Sequence, residues 1–214
     1  MPSIEEPVFG NPAFVSVAGK RITSDLLTSL DEWHALDGYL DFGNTKTVLE
    51  VGAGYGRSAF ILLSKQTNIK YIVCDILPAL YLSKTYLEQC FPQKRSVYVA
   101  SDVGKSEFKQ LVRENDLIFL LPQHLEFVQG VDLFMAIDCL HEMSEQSLEF
   151  YVEQAKRCSN YFYFKSWKDT IVPFDKIHHT EDSYIREDEG WARVFKEDCD
   201  HPDSFFHALY RTIK

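Results

Sequence analysis

The residues best suited to chemistry gather at three points of the chain. Glu50-Val51-Gly52-Ala53-Gly54-Tyr55-Gly56-Arg57 sets three glycines at alternate positions behind a carboxylate. Asp75 closes the apolar run Tyr71-Ile72-Val73-Cys74. Asp138-Cys139-Leu140-His141-Glu142 follows a third apolar run, 132–137. The glycines let the backbone take positive φ and let a ligand approach without meeting a Cβ. A helix start just beyond them offers unpaired N–H groups to an electron-rich ligand. This pattern calls for a nucleotide-like cofactor. His141 titrates near neutrality and is a candidate general base, with Glu142 orienting it or binding substrate hydroxyls. The plainer alternative is that His141 only caps the helix that follows.

The glycine spacing discriminates between cofactors. The dinucleotide fingerprint is G-x-G-x-x-G with an acid about 20 residues on. Here the third glycine comes one position early, and Arg57 stands where close helix–strand packing needs glycine. Glu50, at a strand end, suits the ammonium group of a methionine moiety and would repel a pyrophosphate. Asp75, at the carboxyl end of the next strand, is placed to accept hydrogen bonds from both ribose hydroxyls. In this order and spacing the chain resembles the class I S-adenosylmethionine-dependent methyltransferases. That resemblance implies S-adenosyl-L-methionine as cofactor, held around Glu50, Gly52, Gly54, Tyr55, Gly56 and Asp75. Ligands of open α/β sheets bind beyond the carboxyl ends of the strands, which adds Ile76 on the adenine face, Gln123 or His124 at the adenine edge, and Asp138.

These residues need a sheet to carry them. Strand patterns alternate with helical ones, as βαβ units do. The pattern predicts strands near 47–51, 70–74, 117–121, 132–138 and 161–167, and helices near 57–65, 79–87, 105–114 and 144–158. Residues 191–195 and 206–213 are expected to form an antiparallel C-terminal pair. The sum is an α/β, Rossmann-like, doubly wound sheet of seven mostly parallel strands. Val97-Tyr98-Val99-Ala100 is extended but has no assigned place. Residues 1–45 lack the βαβ rhythm and carry a helix near 24–39 with Thr23 or Ser24 as N-cap. They are read as a helical cap over the mouth of the site, with the methyltransferase domain at 46–214.

Composition narrows the partners. The chain has 214 residues, 45% hydrophobic and 25% charged, with a formal net charge of -10, an ordinary globular balance. Without a run rich in Lys and Arg, nucleic acid is disfavoured as a substrate. The five cysteines form no C-x-x-C pair and read as buried thiols in a reducing compartment. Met1-Pro2-Ser3 opens a segment unlike a signal peptide, and no apolar stretch approaches the roughly 18 residues that span a bilayer. The expectation is a cytoplasmic protein without membrane insertion; a homodimer is left open.

Four stretches carry a narrower resemblance: Glu50 to Arg57, Asp75-Ile76-Leu77-Pro78-Ala79-Leu80-Tyr81-Leu82-Ser83, Phe119-Leu120-Leu121-Pro122 and Leu140-His141-Glu142-Met143. They are similar to the sugar O-methyltransferases of bacterial polysaccharide clusters. That resemblance implies methylation of a hydroxyl on a sugar or sugar-containing glycan precursor. Alternatives are another small molecule, such as a phenolic or polyketide, and a non-catalytic scaffold that keeps the fold. Trp167, Tyr184, Trp191, Phe195, His178 and His179 are candidates for an aromatic cleft that takes sugar faces, although core packing is the commoner fate of such residues. His178 and His179 with Glu181 and Asp182 lack the regular spacing of a metal site, and no metal ligand is assigned.

Overall fold

A computed structural model describes residues 4–172, 176–186 and 190–213; Met1, Pro2 and Ser3 lie outside them. In chain order its elements are β1 (Val15–Val17), β2 (Lys20–Ile22), α1 (Ser24–Asp37), β3 (Thr47–Val51), α2 (Arg57–Lys65), β4 (Lys70–Cys74), α3 (Ala79–Cys90), β5 (Ser96–Tyr98), α4 (Lys105–Glu114), β6 (Leu117–Leu120), β7 (Val131–Ile137), α5 (Glu145–Cys158), β8 (Ser159–Trp167), β9 (Asp169–Ile171), β10 (His178–Thr180), β11 (Trp191–Asp198) and β12 (Phe205–Thr212).

The main sheet runs β11-β12-β8-β7-β3-β4-β6-β5. β5, β6, β4, β3, β7 and β8 are parallel neighbours, while β12 and β11 are antiparallel. The sheet thus has eight strands, where seven were expected. The extra strand is the short edge β5, built on the extended run at 96–98 that the sequence left without a place. A three-residue strand adds one row of hydrogen bonds to β6, and alternating periodicity cannot identify so short a piece. Two small ribbons were also unforeseen: β1–β2, turned by Ala18 (φ 52) and Gly19 (φ 79), and β9–β10.

Strand alternation sorts the core into two layers. Val48, Tyr71, Val73, Leu117, Phe119, Leu133 and Met135 point to one face, where α1, α2 and α3 cover them. Leu49, Val51, Ile72, Cys74, Ile118, Leu120, Phe134 and Ala136 point to the other, covered by α4 and α5. The central strands are therefore buried on both sides, which is why they read as unbroken apolar runs. Glu50 shares its face with Val48 and is the polar exception in that layer. α1 begins where the Thr23 hydroxyl accepts a hydrogen bond from the Leu26 N–H, and α5 where Ser144 accepts one from the Ser147 N–H, both ordinary N-caps. Among the described residues no helix is long and apolar enough to cross a membrane.

Candidate functional site

The chain leaves β3 through a turn that only glycine enters easily. Gly52, Gly54 and Gly56 have φ of 68, 58 and 98°, and Gly56 is the N-cap of α2. The three glycines serve different ends. A Cβ on Gly52 would lie 2.6 Å from Cys139 Cβ, and one on Gly56 would press on Leu87, so both are packed. A Cβ on Gly54 would meet nothing within 4 Å. Gly54 is thus the open point of the turn, where a ligand can lie against bare backbone.

Two hollows meet over that turn. One, of about 270 Å³, is lined by Glu50, Asp25, Tyr55 and Arg57. The other, of about 360 Å³, is lined by Asp75, Ile76, Cys139, Glu142 and Tyr151. Gly52, Gly54 and Asp138 line both. Together they form one groove at the carboxyl ends of β3, β4 and β7, the switch point of the sheet, with a carboxylate toward either end.

The two end carboxylates are differently prepared. Asp75 accepts hydrogen bonds from the Gly54 N–H (3.1 Å) and from its own neighbour's, Ile76 (2.8 Å), so it braces the open part of the turn. Burial raises its pKa, and those two backbone donors pull it back. Glu50 is 2% exposed, and its Oε2 accepts a hydrogen bond from the Tyr71 hydroxyl at 2.8 Å. Burial pushes its pKa up to about 7, against the opposing pull of the Tyr71 bond and the Arg57 charge. A carboxyl poised there ionises readily once a cation arrives beside it.

Behind the groove lies a buried ionic network. Glu32 of α1 accepts two hydrogen bonds from the Arg57 guanidinium (2.9 and 3.1 Å), one from Lys165 Nζ (3.2 Å) and one from the Ser58 hydroxyl (3.3 Å). Ser29 takes a further bond from Arg57 at 2.7 Å. These contacts lock α1 to the first turn of α2 and to β8. The network was not foreseen, yet each member carried a signal. Glu32 lies on the buried stripe of α1 with Ser29, Trp33 and Leu36, Arg57 replaces a packing glycine, and Lys165 interrupts an aromatic strand. Charges at core positions imply partners.

Beyond β7, Asp138 adopts a left-handed φ of 58° and lines both hollows. His141 lines neither. Its ring is buried against Trp167 and Phe205, at 5.7 and 6.1 Å between centroids, and its Nε2 reaches 3.8 Å from Asp138 Oδ1 and 3.9 Å from Glu142 Oε1. Its Nδ1 is buried and has no hydrogen-bond partner among the described residues. Burial lowers the His141 pKa, opposed by the Glu142 charge and assisted by that of His179. The expected base therefore stands behind Asp138.

Gln123 and His124 are not brought to the groove. They fall in a 3-10 turn over Pro122–Phe127, where Gln123 faces solvent and the His124 ring is buried near Phe127. The expected aromatic cleft forms in part and apart from the groove: His178, His179, Tyr184 and Trp191 line a separate cleft of about 370 Å³ with Glu145, Glu149 and Arg186, while Phe195 packs in the core and Trp167 lies against Phe205. His179 is buried and binds the Met143 carbonyl through Nε2 at 2.9 Å. Among the described residues no three His, Cys, Asp or Glu side chains gather as a metal site.

By sequence the chain matches no family model and no curated protein. By structure it is similar to a SAM dependent methyltransferase from Aquifex aeolicus, at 20% identity and a TM-score of 0.58 over 90% of this chain and 94% of that one. It is similar also to magnesium protoporphyrin IX methyltransferase from Synechocystis PCC 6803 with bound SAM (13%, TM-score 0.55, 87% and 79%). A third likeness is to the mitomycin 7-O-methyltransferase MmcR (12%, TM-score 0.59), of which the 86% covered here matches 54%. The chain shares their fold. It spans about half the length of MmcR.

Proposed function

We propose that the protein is an S-adenosyl-L-methionine-dependent O-methyltransferase acting on a hydroxyl of a sugar or sugar-containing glycan precursor. The observation that carries this reading is the groove over Gly54, with buried Glu50 at one end and Asp75 at the other. Glu50 would hold the ammonium group of the cofactor, Asp75 its ribose hydroxyls and Ile76 the adenine face. The bare Gly54 backbone would let the cofactor lie close, and Tyr55 and Asp138 would border it. When bound, the cofactor supplies an activated methyl group, so alignment of the acceptor provides much of the rate.

The chain's own residues then manage the acceptor proton. Asp138 faces the groove, and burial raises its carboxyl pKa against the pull of Arg57 and Lys165. A carboxylate so raised is a stronger base than an ordinary one. His141 stands behind it as a positioning and proton-holding group, with Glu142 at the groove wall. The sugar assignment rests on the stretch Leu140-His141-Glu142-Met143 and on the run from Asp75 to Ser83.

Calorimetry with S-adenosyl-L-methionine tests the first half: absence of binding at sub-millimolar cofactor removes the reading. Mass spectrometry of products from a panel of glycosides, sugar nucleotides and phenols tests the second. Methylation of phenols alone would move the substrate class.

A further inference from the structure

A third hollow, of about 350 Å³, opens between the N-terminal segment, the start of α1 and the outer face of α3. Phe9, Tyr55, Leu82 and Tyr86 supply its apolar surface, and Glu6, Asp25, Thr85 and Gln89 its polar groups. It borders the cofactor groove, because Asp25 and Tyr55 line both. At the partition between them the Tyr55 hydroxyl donates a hydrogen bond to Asp25 Oδ2 at 2.9 Å. The Tyr55 ring packs edge-on against Tyr86, 5.3 Å between centroids.

The lining has a definite chemical preference. A few polar groups set into aromatic and aliphatic walls is the usual make-up of a small-molecule site, and the size suits a single ring with substituents. Glu6 is 5% exposed, and its Oε2 accepts the Thr23 hydroxyl proton at 2.6 Å, so its carboxylate is placed and not free to swing away. Two carboxylates and one amide can accept hydrogen bonds from neighbouring hydroxyls. Among the described residues that line the hollow there is no Lys, Arg or His. A phosphate there would face two like charges with no cation to offset them. An amine would be welcome.

We propose that this hollow is the acceptor subsite, and that it takes a hydroxylated ring that is uncharged or carries an amine, with no phosphate inside it. The ring lies between Phe9, Leu82 and Tyr86, and its reacting hydroxyl reaches the cofactor groove past Tyr55 and Asp25. In the transfer, the acceptor oxygen forms the new bond to the methyl carbon. The carbon–sulfur bond of the donor breaks with its electron pair passing to sulfur, and the hydroxyl proton goes to Asp138. The phosphates of a sugar nucleotide would have to remain outside, which makes a glycoside or amino-sugar unit the favoured acceptor. This inference rests on the methyltransferase reading above, and its test keeps the two apart.

The test is saturation-transfer NMR on the full chain with three probes: methyl glucopyranoside, methyl glucosaminide and glucose 1-phosphate. The first two are expected to bind and the phosphate is not. Leu82→Trp, which fills the hollow from the exposed side of α3, should weaken both glycosides at least tenfold, and Gln89→Ala about threefold. The affinity for S-adenosyl-L-methionine, measured by calorimetry on the same variants, should change less than twofold. Glycoside binding unchanged by Leu82→Trp, preferential binding of glucose 1-phosphate, or no glycoside binding at all would each overturn the subsite. Loss of cofactor binding in the parent chain strikes the methyltransferase reading instead. Circular dichroism of Leu82→Trp guards against misfolding, and Gln89→Ala, at an exposed helix position, provides the second variant.

Discussion

His141 Nε2 stands 3.8 Å from Asp138 Oδ1, and the two side chains divide their exposure sharply, 8% for the histidine against 50% for the aspartate. One faces the groove and the other supports it from behind. The backbone of Asp138 is left-handed, a conformation that costs a non-glycine residue and that tends to persist at sites where function requires it. Asparagine tolerates the same φ, so Asp138→Asn removes the charge without moving the chain. We expect it to lower kcat by about 10²-fold or more while the thermal midpoint stays within a few degrees. Turnover equal to the parent's would remove Asp138 from the reaction.

His141 makes a separate prediction through pH. Its pKa is lowered from 6.5 by burial, so it is neutral near pH 7. Protonating it would place a cation beside Asp138 and weaken that carboxylate as a base. Turnover should therefore rise with pH through a value below 6.5, and His141→Gln should lose that limb of the profile. The same shift affects folding. A histidine held neutral in the fold but free to charge when unfolded makes the unfolded state the better proton binder. Stability is fully present above pH 6.5 and falls as pH drops toward the depressed folded value. His207, also lowered by burial, adds to this loss, so His141→Gln should lessen the acid sensitivity and not abolish it. Denaturant titrations from pH 7.5 to 5 check this.

Glu50 has the opposite sign. Its pKa is raised from 4.5 to about 7, so its contribution to stability is fully present below pH 4.5 and is lost as pH rises through about 7. At pH 8 the buried charge penalises the apo fold, and Glu50→Gln should stabilise it by about 2–4 kcal/mol, provided the amide keeps the Tyr71 bond. A cationic ligand group should reverse that preference, because it draws the proton off Glu50. Cofactor binding at pH 6 should release close to one proton, seen as a dependence of calorimetric heat on buffer ionisation enthalpy, and the release should vanish in Glu50→Gln. A buffer-independent heat at pH 6 would mean that Glu50 does not meet a cation.

Much of this site was legible in the chain itself. The turn from Glu50 to Arg57 and the strand ending at Cys74 needed only periodicity and glycine spacing, and both stood where expected. Residue type narrowed the cap of α1 to Thr23 or Ser24, and the structure places it at Thr23. What escaped depended on tertiary contact. Nothing local distinguishes His124, buried in its turn, from a histidine at a ligand's edge, and nothing local shows His141 turned away from the groove by Trp167 and Phe205. The N-terminal hollow joins residues from Glu6 to Gln89 through the partition at Tyr55, a juxtaposition with no periodic signature. The short strands at 15–17, 20–22 and 96–98 carry too few residues for alternation to register.

The glycines of the turn separate folding from binding. Gly52→Ala combines a positive φ with a Cβ 2.6 Å from Cys139 Cβ, on a strand end that cannot retreat. It should cost about 2–5 kcal/mol, from left-handed strain and overpacking together. Gly54→Ala meets open space, so only the φ term applies, about 1–2 kcal/mol. Its methyl would nevertheless stand where we place the cofactor. Gly54→Ala should therefore stay folded and lose cofactor affinity at least tenfold, whereas Gly52→Ala should show mainly a lowered urea midpoint. Unchanged cofactor affinity in a folded Gly54→Ala would place the ligand elsewhere.

Glu32 holds α1 through charge, and its removal should be costlier than the loss of a surface ion pair. It is 3% exposed and serves two cations, Arg57 and Lys165. Truncating one member of such a group leaves the others buried and uncompensated, at about 3–5 kcal/mol. Glu32→Ala should approach that range in urea denaturation. Lys165 is the more deeply enclosed of the two cations, with its side chain 6% exposed against 19% for Arg57. Pairing Glu32→Leu with Lys165→Met removes opposite charges together and restores apolar volume, so the double variant should recover a substantial part of the loss. Arg57 would still have the Ser29 hydroxyl to donate to. A Glu32→Ala protein within 1 kcal/mol of the parent would show that α1 is held by its apolar stripe of Leu26, Trp33 and Leu36, with the ionic network contributing little.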